Sequence, residues 1–114
     1  MDQTKIEFCC IFRPRRDDFF ALMNVAEEEI FQQHQAYWVR MANEIEITHN
    51  VETQSRVYQA VVFYAEGIEQ AKAIFLGDPA VKEKLLQAEL HYGLTDYIPQ
   101  TRDASTLIAD EGGN

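Results

Sequence analysis

Val57-Tyr58-Gln59-Ala60-Val61-Val62-Phe63-Tyr64 is the segment on which the fold turns. Side chains alternate along an extended chain, so one row holds Val57, Gln59, Val61 and Phe63. The other row holds Tyr58, Ala60, Val62 and Tyr64. Both rows are mostly apolar, which predicts a strand covered on both faces. Working back, Asn50 to Arg56 is polar and reads as a hairpin loop. Before it, Ile45 and Ile47 alternate with Glu44 and Glu46, a half-buried strand over Glu44 to Thr48.

Further back, Ile30, His34, Tyr37, Trp38 and Met41 recur at helical spacing. Asn24 and Glu27 form a capping pair at the start of that helix, and Glu27, Glu28 and Glu29 suit its positive end. The helix is expected to stop near Asn43. Asp17 or Asp18 is placed to cap a short helical turn through Phe19, Phe20, Leu22 and Met23. Lys5 to Phe12 is the first strand, with Ile6, Phe8, Cys10 and Phe12 on one face, and Pro14 ends it. Working forward, Gly67 opens a second helix with the stripe Ile68, Ala71, Ile74 and Phe75. Gly77 suits its C-terminal turn, with Pro79 just beyond. Ala80 to Leu86 reads as a helical turn or two, and Glu89 to Leu94 as the last strand.

The order is therefore β-α-β-β-α-β, which predicts an α+β, ferredoxin-like fold with two helices on one face of a four-stranded antiparallel sheet. The other sheet face is left bare. A second copy is the simplest cover, so the expectation is a homodimer through that face. Residues 1–94 make the domain. Residues 95–114 read as an acidic, flexible tail, with Asp96, Asp103, Asp110 and Glu111 against Arg102.

The chain has 114 residues, enough for one domain. It carries 19 acidic and 10 basic residues, a net charge of −9. Such a surface repels phosphate backbones and anionic lipid, so neither nucleic acid nor membrane is an expected partner. No apolar run approaches the roughly 20 residues that span a bilayer. Met1-Asp2-Gln3-Thr4-Lys5 lacks the basic start and apolar stretch of a signal peptide, so the expected location is cytoplasmic. Cys9 and Cys10 are adjacent and point to opposite faces of a strand. They read as two unpaired, buried thiols in a reducing compartment.

Several short motifs carry a family resemblance. Phe12-Arg13-Pro14-Arg15-Arg16-Asp17-Asp18-Phe19 precedes an acidic helix start and His34-Gln35-Ala36-Tyr37-Trp38. Glu69-Gln70-Ala71, Gly77-Asp78-Pro79-Ala80-Val81 and Ala88-Glu89-Leu90 follow in order. Over Lys5 to Tyr92 this resembles the YCII-related family, in a branch with an R-P-x-R-x-D-F opening and an H-x-x-Y-W helix. The resemblance implies dimeric α+β barrels and a site centred on a helical histidine and an aspartate. In the members of known chemistry it implies cofactor-independent lyases or dehydrochlorinases acting on small organic acids. Carried across, the histidine is His34 and the aspartate is Asp78. This chain departs from the pattern at Asn43, where a Gly is usual, and at His49-Asn50, where a Gly-Pro is usual. The second departure borders the expected pocket, so an altered site is an open expectation.

Each candidate has two readings. His34 is either a hydrogen-bonded core residue or an acid–base group, since imidazole titrates near neutral pH. Asp78 either stops a helix or orients His34 and stabilises its charged form. Arg13, Arg15 and Arg16 either solvate a loop beside Asp17 and Asp18, or present a guanidinium fork (Arg13 or Arg15) to a substrate carboxylate. Tyr37 belongs to the core stripe and is also a candidate to touch a substrate. His49 is either a turn residue or a second site histidine, and His91 is expected at a surface or edge. No metal-ligand spacing, phosphate loop or nucleophile elbow is present, so no metal or cofactor is expected. Two functions fit: a lyase or isomerase for a small organic acid, centred on His34, or a non-catalytic ligand- or protein-binding dimer.

Overall fold

The computed structural model describes residues 5–53, 58–93 and 106–109. Five antiparallel strands form one sheet in the order β2-β3-β1-β4-β5. They are β1 (Ile6–Pro14), β2 (Glu46–Glu52), β3 (Gln59–Ala65), β4 (Leu86–His91) and β5 (Thr106–Ala109). The helices are α1 (Val25–Met41), α2 (Ile68–Leu76) and the single turn α3 (Pro79–Lys82). The arrangement is α+β and compatible with a ferredoxin-like fold.

α1 forms where its sequence places a start signal. The Asn24 side chain accepts from the Glu27 backbone N–H at 2.8 Å, and the Glu27 carboxylate accepts from the Asn24 N–H at 3.0 Å. Both orphan donors are thereby satisfied. The stripe His34, Tyr37, Trp38 and Met41 turns inward and is buried. It meets the inner row of the sheet: Phe8, Cys10 and Phe12 from β1, Val61 and Phe63 from β3, and Leu86, Ala88 and Leu90 from β4. Phe12 and Trp38 meet edge to face at 6.3 Å between centroids, and Trp38 lies 6.0 Å from Phe63. Such rings bury large apolar areas and dominate the stabilisation of a small core.

The opposite row of the sheet is also closed at its centre. Cys9, Ile11 and Val62 form a second buried cluster with Ala60 packed against it. Cys9 and Cys10 thus lie on different sides of the sheet, both free thiols. Burial, reinforced by Glu7, pushes the Cys9 thiol up to about 12, and burial raises Cys10 well above the usual thiol range. His91 is on this second row and is buried, not at the surface as its sequence position suggests.

Three boundaries differ from the sequence expectation. β2 continues through Asn50 to Glu52, where a loop was expected. The ladder shifts register between Ile47 and His49, so one extra residue is absorbed and pairing resumes at His49–Val62. The segment is polar because it is a sheet edge, not because it is a loop. The last strand starts at Leu86, because Lys84 takes a positive φ of 58° and ends the α3 turn early. Phe19 to Leu22 forms turns, held by Phe19 N–H to Arg16 O at 3.2 Å and Leu22 N–H to Asp18 O at 2.9 Å. Val57 lies outside the described residues, as does most of the stretch 95–114. Thr106–Ala109 pairs with β4.

Gly77 ends α2 at a close approach. A Cβ there would lie 2.5 Å from the Tyr37 hydroxyl oxygen and 3.2 Å from the Ala73 carbonyl. That hydroxyl donates to the Ile74 carbonyl at 2.8 Å. Gly77→Ala is therefore expected to cost about 1–3 kcal/mol, by pushing Tyr37 off its acceptor. Urea unfolding checks this, and the penalty should shrink in a Tyr37→Phe background, where the clashing oxygen is gone. An equal penalty in both backgrounds would place the strain elsewhere.

Candidate functional site

His34 and Trp38 stand one helical turn apart on the buried face of α1. Asp78 sits where α2 gives way to α3, between Gly77 and Pro79. Proline disfavours the helical conformation in the residue before it, and Asp78 is extended (φ −71°, ψ 126°). Its side chain caps α3, accepting from the Ala80 N–H at 2.8 Å on Oδ1. The same carboxylate faces α1. Trp38 Nε1–H donates to Oδ2 at 2.8 Å, and His34 Nδ1 lies 2.7 Å from Oδ2 and 3.0 Å from Oδ1. Both oxygens already accept, an arrangement that suits a carboxylate taking a further hydrogen bond from His34 Nδ1–H. His34 and Asp78 are each 0% exposed.

The other ring nitrogen is also engaged. His34 Nε2 is 2.7 Å from Gln59 Oε1, and Gln59 Nε2–H donates to Asn50 Oδ1 at 2.7 Å. Gln59 is 2% exposed, whereas Asn50 is exposed on the edge strand. A continuous chain therefore runs from Trp38 and Asp78 through His34 and Gln59 to the surface. Phe12 packs edge-on to the His34 ring at 5.0 Å and Phe31 lies against it at 5.8 Å. No buried side-chain nitrogen or oxygen among the described residues lacks a partner.

The remaining candidates lie elsewhere. Arg13 follows Phe12 on β1, so its side chain leaves the sheet on the side away from His34. There it donates to Glu89 Oε2 at 2.8 Å, while His91 Nε2 lies 2.8 Å from Glu89 Oε1. The His91 bond, working against burial and helped by Arg13, holds the Glu89 carboxyl below its usual range. Arg15 donates to the Lys84 carbonyl at 2.6 Å and the Leu86 carbonyl at 3.4 Å, clamping the turn before β4. Arg16 pairs with both oxygens of Glu27, at 3.1 and 3.0 Å, and tethers the 16–22 loop to α1. His49 is exposed on the outer row, in register with Val62 and 3.1 Å from the Thr48 hydroxyl. Tyr37 is buried beside Trp38, with its hydroxyl on Ile74.

Sequence position thus brings His34 and Asp78 together, with Tyr37 adjacent through Trp38, and separates Arg13 and His49 from them by the thickness of the sheet. Gln59 and the Trp38 N–H are site components that the sequence reading did not name, and Asn50 entered it only as a departure from the family pattern beside the expected pocket. Gln59 had a visible signal: it is the one amide in the row Val57, Gln59, Val61, Phe63, and a buried amide needs partners. Among the described residues no three His, Cys, Asp or Glu side chains are gathered as a metal site. None of the described helices is long and apolar enough to cross a membrane. No family model, curated protein or solved structure matches the chain.

Proposed function

We propose that this is a YCII-related protein that acts on a small organic acid by acid–base chemistry at His34, as a cofactor-independent lyase or isomerase. The supporting observation is the triply held Asp78 carboxylate. Ala80 N–H and Trp38 Nε1–H fix its orientation, and it in turn fixes His34 with the proton on Nδ1. That leaves Nε2 as the atom that exchanges a proton, giving it up from the imidazolium and taking it back, and the carboxylate stabilises the charged form. Elimination or isomerisation next to a carboxylate needs such a transfer and no redox group. Access to Nε2 requires the Gln59 side chain to turn aside, since its oxygen now occupies the position of an incoming substrate atom.

A second reading has its own support. Both nitrogens of His34 are satisfied by the protein and the ring is sealed, which suits a binding module whose histidine is structural. In that reading the chain works as a ligand- or protein-binding dimer. The centre of the outer sheet face, Cys9, Ile11 and Val62, is already buried in one copy. A two-fold pairing there would use the margin: Val51, which is 51% exposed, and the half-buried Ala60 and Tyr64. Light scattering at micromolar concentration decides whether a dimer forms.

Turnover of a panel of small carboxylic acids, followed by NMR, separates the two functions. Acid–base catalysis predicts loss of roughly 100-fold or more in His34→Asn, with the fold retained by circular dichroism. Undiminished turnover in that variant removes His34 from the mechanism. Binding without turnover in either protein supports the second reading.

A further inference from the structure

The chain from His34 to the surface has a polarity, and that polarity depends on the charge of the imidazole. Gln59 offers Oε1 to His34 Nε2 and donates its Nε2–H to Asn50 Oδ1. With the amide in this orientation, Nε2 of His34 must carry a proton. Nδ1 carries one as well, because it faces Asp78. This arrangement therefore belongs to the imidazolium. If His34 loses its Nε2 proton, a lone pair meets the Gln59 oxygen at 2.7 Å. Two buried acceptors facing each other without a proton are strongly disfavoured. The contact is repaired if Gln59 turns over, so that its N–H donates to the imidazole. Its oxygen then faces Asn50, which must also turn over and donate. Asn50 is exposed and free to do so at little cost.

We propose that Gln59 and Asn50 form a two-position amide switch that follows the protonation state of His34 and displays it at the β2 edge of the sheet. With His34 charged, Asn50 turns its oxygen inward and offers an N–H to solvent. With His34 neutral, it turns its N–H inward and offers oxygen. The edge thus changes from donor to acceptor, and a carboxylate bound at Asn50 favours the charged imidazole. By linkage, the preference is reciprocal. The inference does not depend on whether His34 turns over a substrate.

The groups around the ring are few. Asp78 is the anion it faces. Phe12 approaches from β1, with Cys10 on the same row of that strand; Phe31, Tyr37 and Trp38 share α1, and Glu52 on β2 is in register with Gln59. Cys10 and Tyr37 stay neutral, since burial raises both.

The test is NMR titration of the full chain, reading the His34 ring nitrogens together with the side-chain amide signals of Gln59 and Asn50. Four variants accompany it: Asn50→Asp, Asn50→Lys, Val51→Asp and Val51→Lys. All change exposed positions of one strand, so folding is not at stake. Asp at 50 can only accept and Lys can only donate, so each holds Gln59 in one orientation. The Val51 variants supply the same charges on the other side of the strand, without touching Gln59. The expected result is that both amides shift with the midpoint of His34. Asn50→Asp raises that midpoint and Asn50→Lys lowers it, each by about one pH unit at high salt, where the Val51 variants move it little. Amide signals that ignore pH while His34 titrates would overturn the switch. So would equal shifts from the Asn50 and Val51 variants, or a His34 that never titrates while the chain stays folded.

Discussion

Asp78→Ala is expected to destabilise the chain by about 3–5 kcal/mol, measured by urea unfolding at neutral pH. Three donors lose their acceptor at once: the Ala80 backbone N–H, the Trp38 indole N–H and His34 Nδ1–H. All three lie in the interior, where an orphaned donor costs its full desolvation. A domain of this size has about 5–15 kcal/mol in total, so the variant is expected to sit near the edge of folding. Asp78→Asn provides the graded comparison. It keeps one acceptor oxygen and the shape, but its NH2 must confront either the Ala80 N–H, in the place of Oδ1, or the indole N–H and His34 Nδ1, in the place of Oδ2. Its cost should fall between those of alanine and the parent. A loss below about 1 kcal/mol for alanine would mean that the carboxylate is no better than an exposed pair, contrary to its burial.

The second large effect is expected at Phe12. Phe12→Ala should cost about 3–5 kcal/mol, the usual range for deleting a fully buried ring. Phe12 is 0% exposed and bridges two parts of the site, meeting Trp38 on one side and the His34 ring on the other. The cavity would open beside a polar chain, so water can enter it. Hydrogen exchange at the His34 ring should therefore accelerate more than global unfolding explains. Phe12→Leu retains much of the volume and should lose well under half as much. If alanine and leucine cost the same, the ring is not the wedge that the packing indicates.

How far the residues foretold the molecule depends on which physical signal each element carried. α1 was legible from its start and its buried face: Asn24 and Glu27 cap it, and the stripe through His34, Tyr37, Trp38 and Met41 turns inward. The covered strand was legible as well, because Val61, Val62 and Phe63 leave no polar row. The first half of β2 was legible from the alternation of Ile45 and Ile47 with Glu44 and Glu46, but its continuation to Glu52 was not, since an edge strand can be polar on both sides and the bulge breaks the alternation that a period-two reading needs. The His34–Asp78 contact spans 44 residues and came from motif resemblance, not from periodicity. Arg13 lies away from His34 for a parity reason. It is one residue out of phase with Phe12, and on a strand that is the whole thickness of the sheet. His91 misled for another reason: a histidine near the last strand looks peripheral until its ring is seen to meet Glu89, which Arg13 holds from the other oxygen.

The neighbouring thiols Cys9 and Cys10 give the chain a pair of internal clocks. Each is sealed on a different side of one strand, and neither reacts as a thiolate while it remains sealed. Alkylation must therefore wait for an opening, and the two sulfurs wait for different openings. Capture of Cys10 times the separation of the helical layer from the sheet. Capture of Cys9 times the uncovering of the outer face. Peptide mapping after brief exposure to an alkylating reagent would rank the two layers by how often each breathes, from a single unmodified chain.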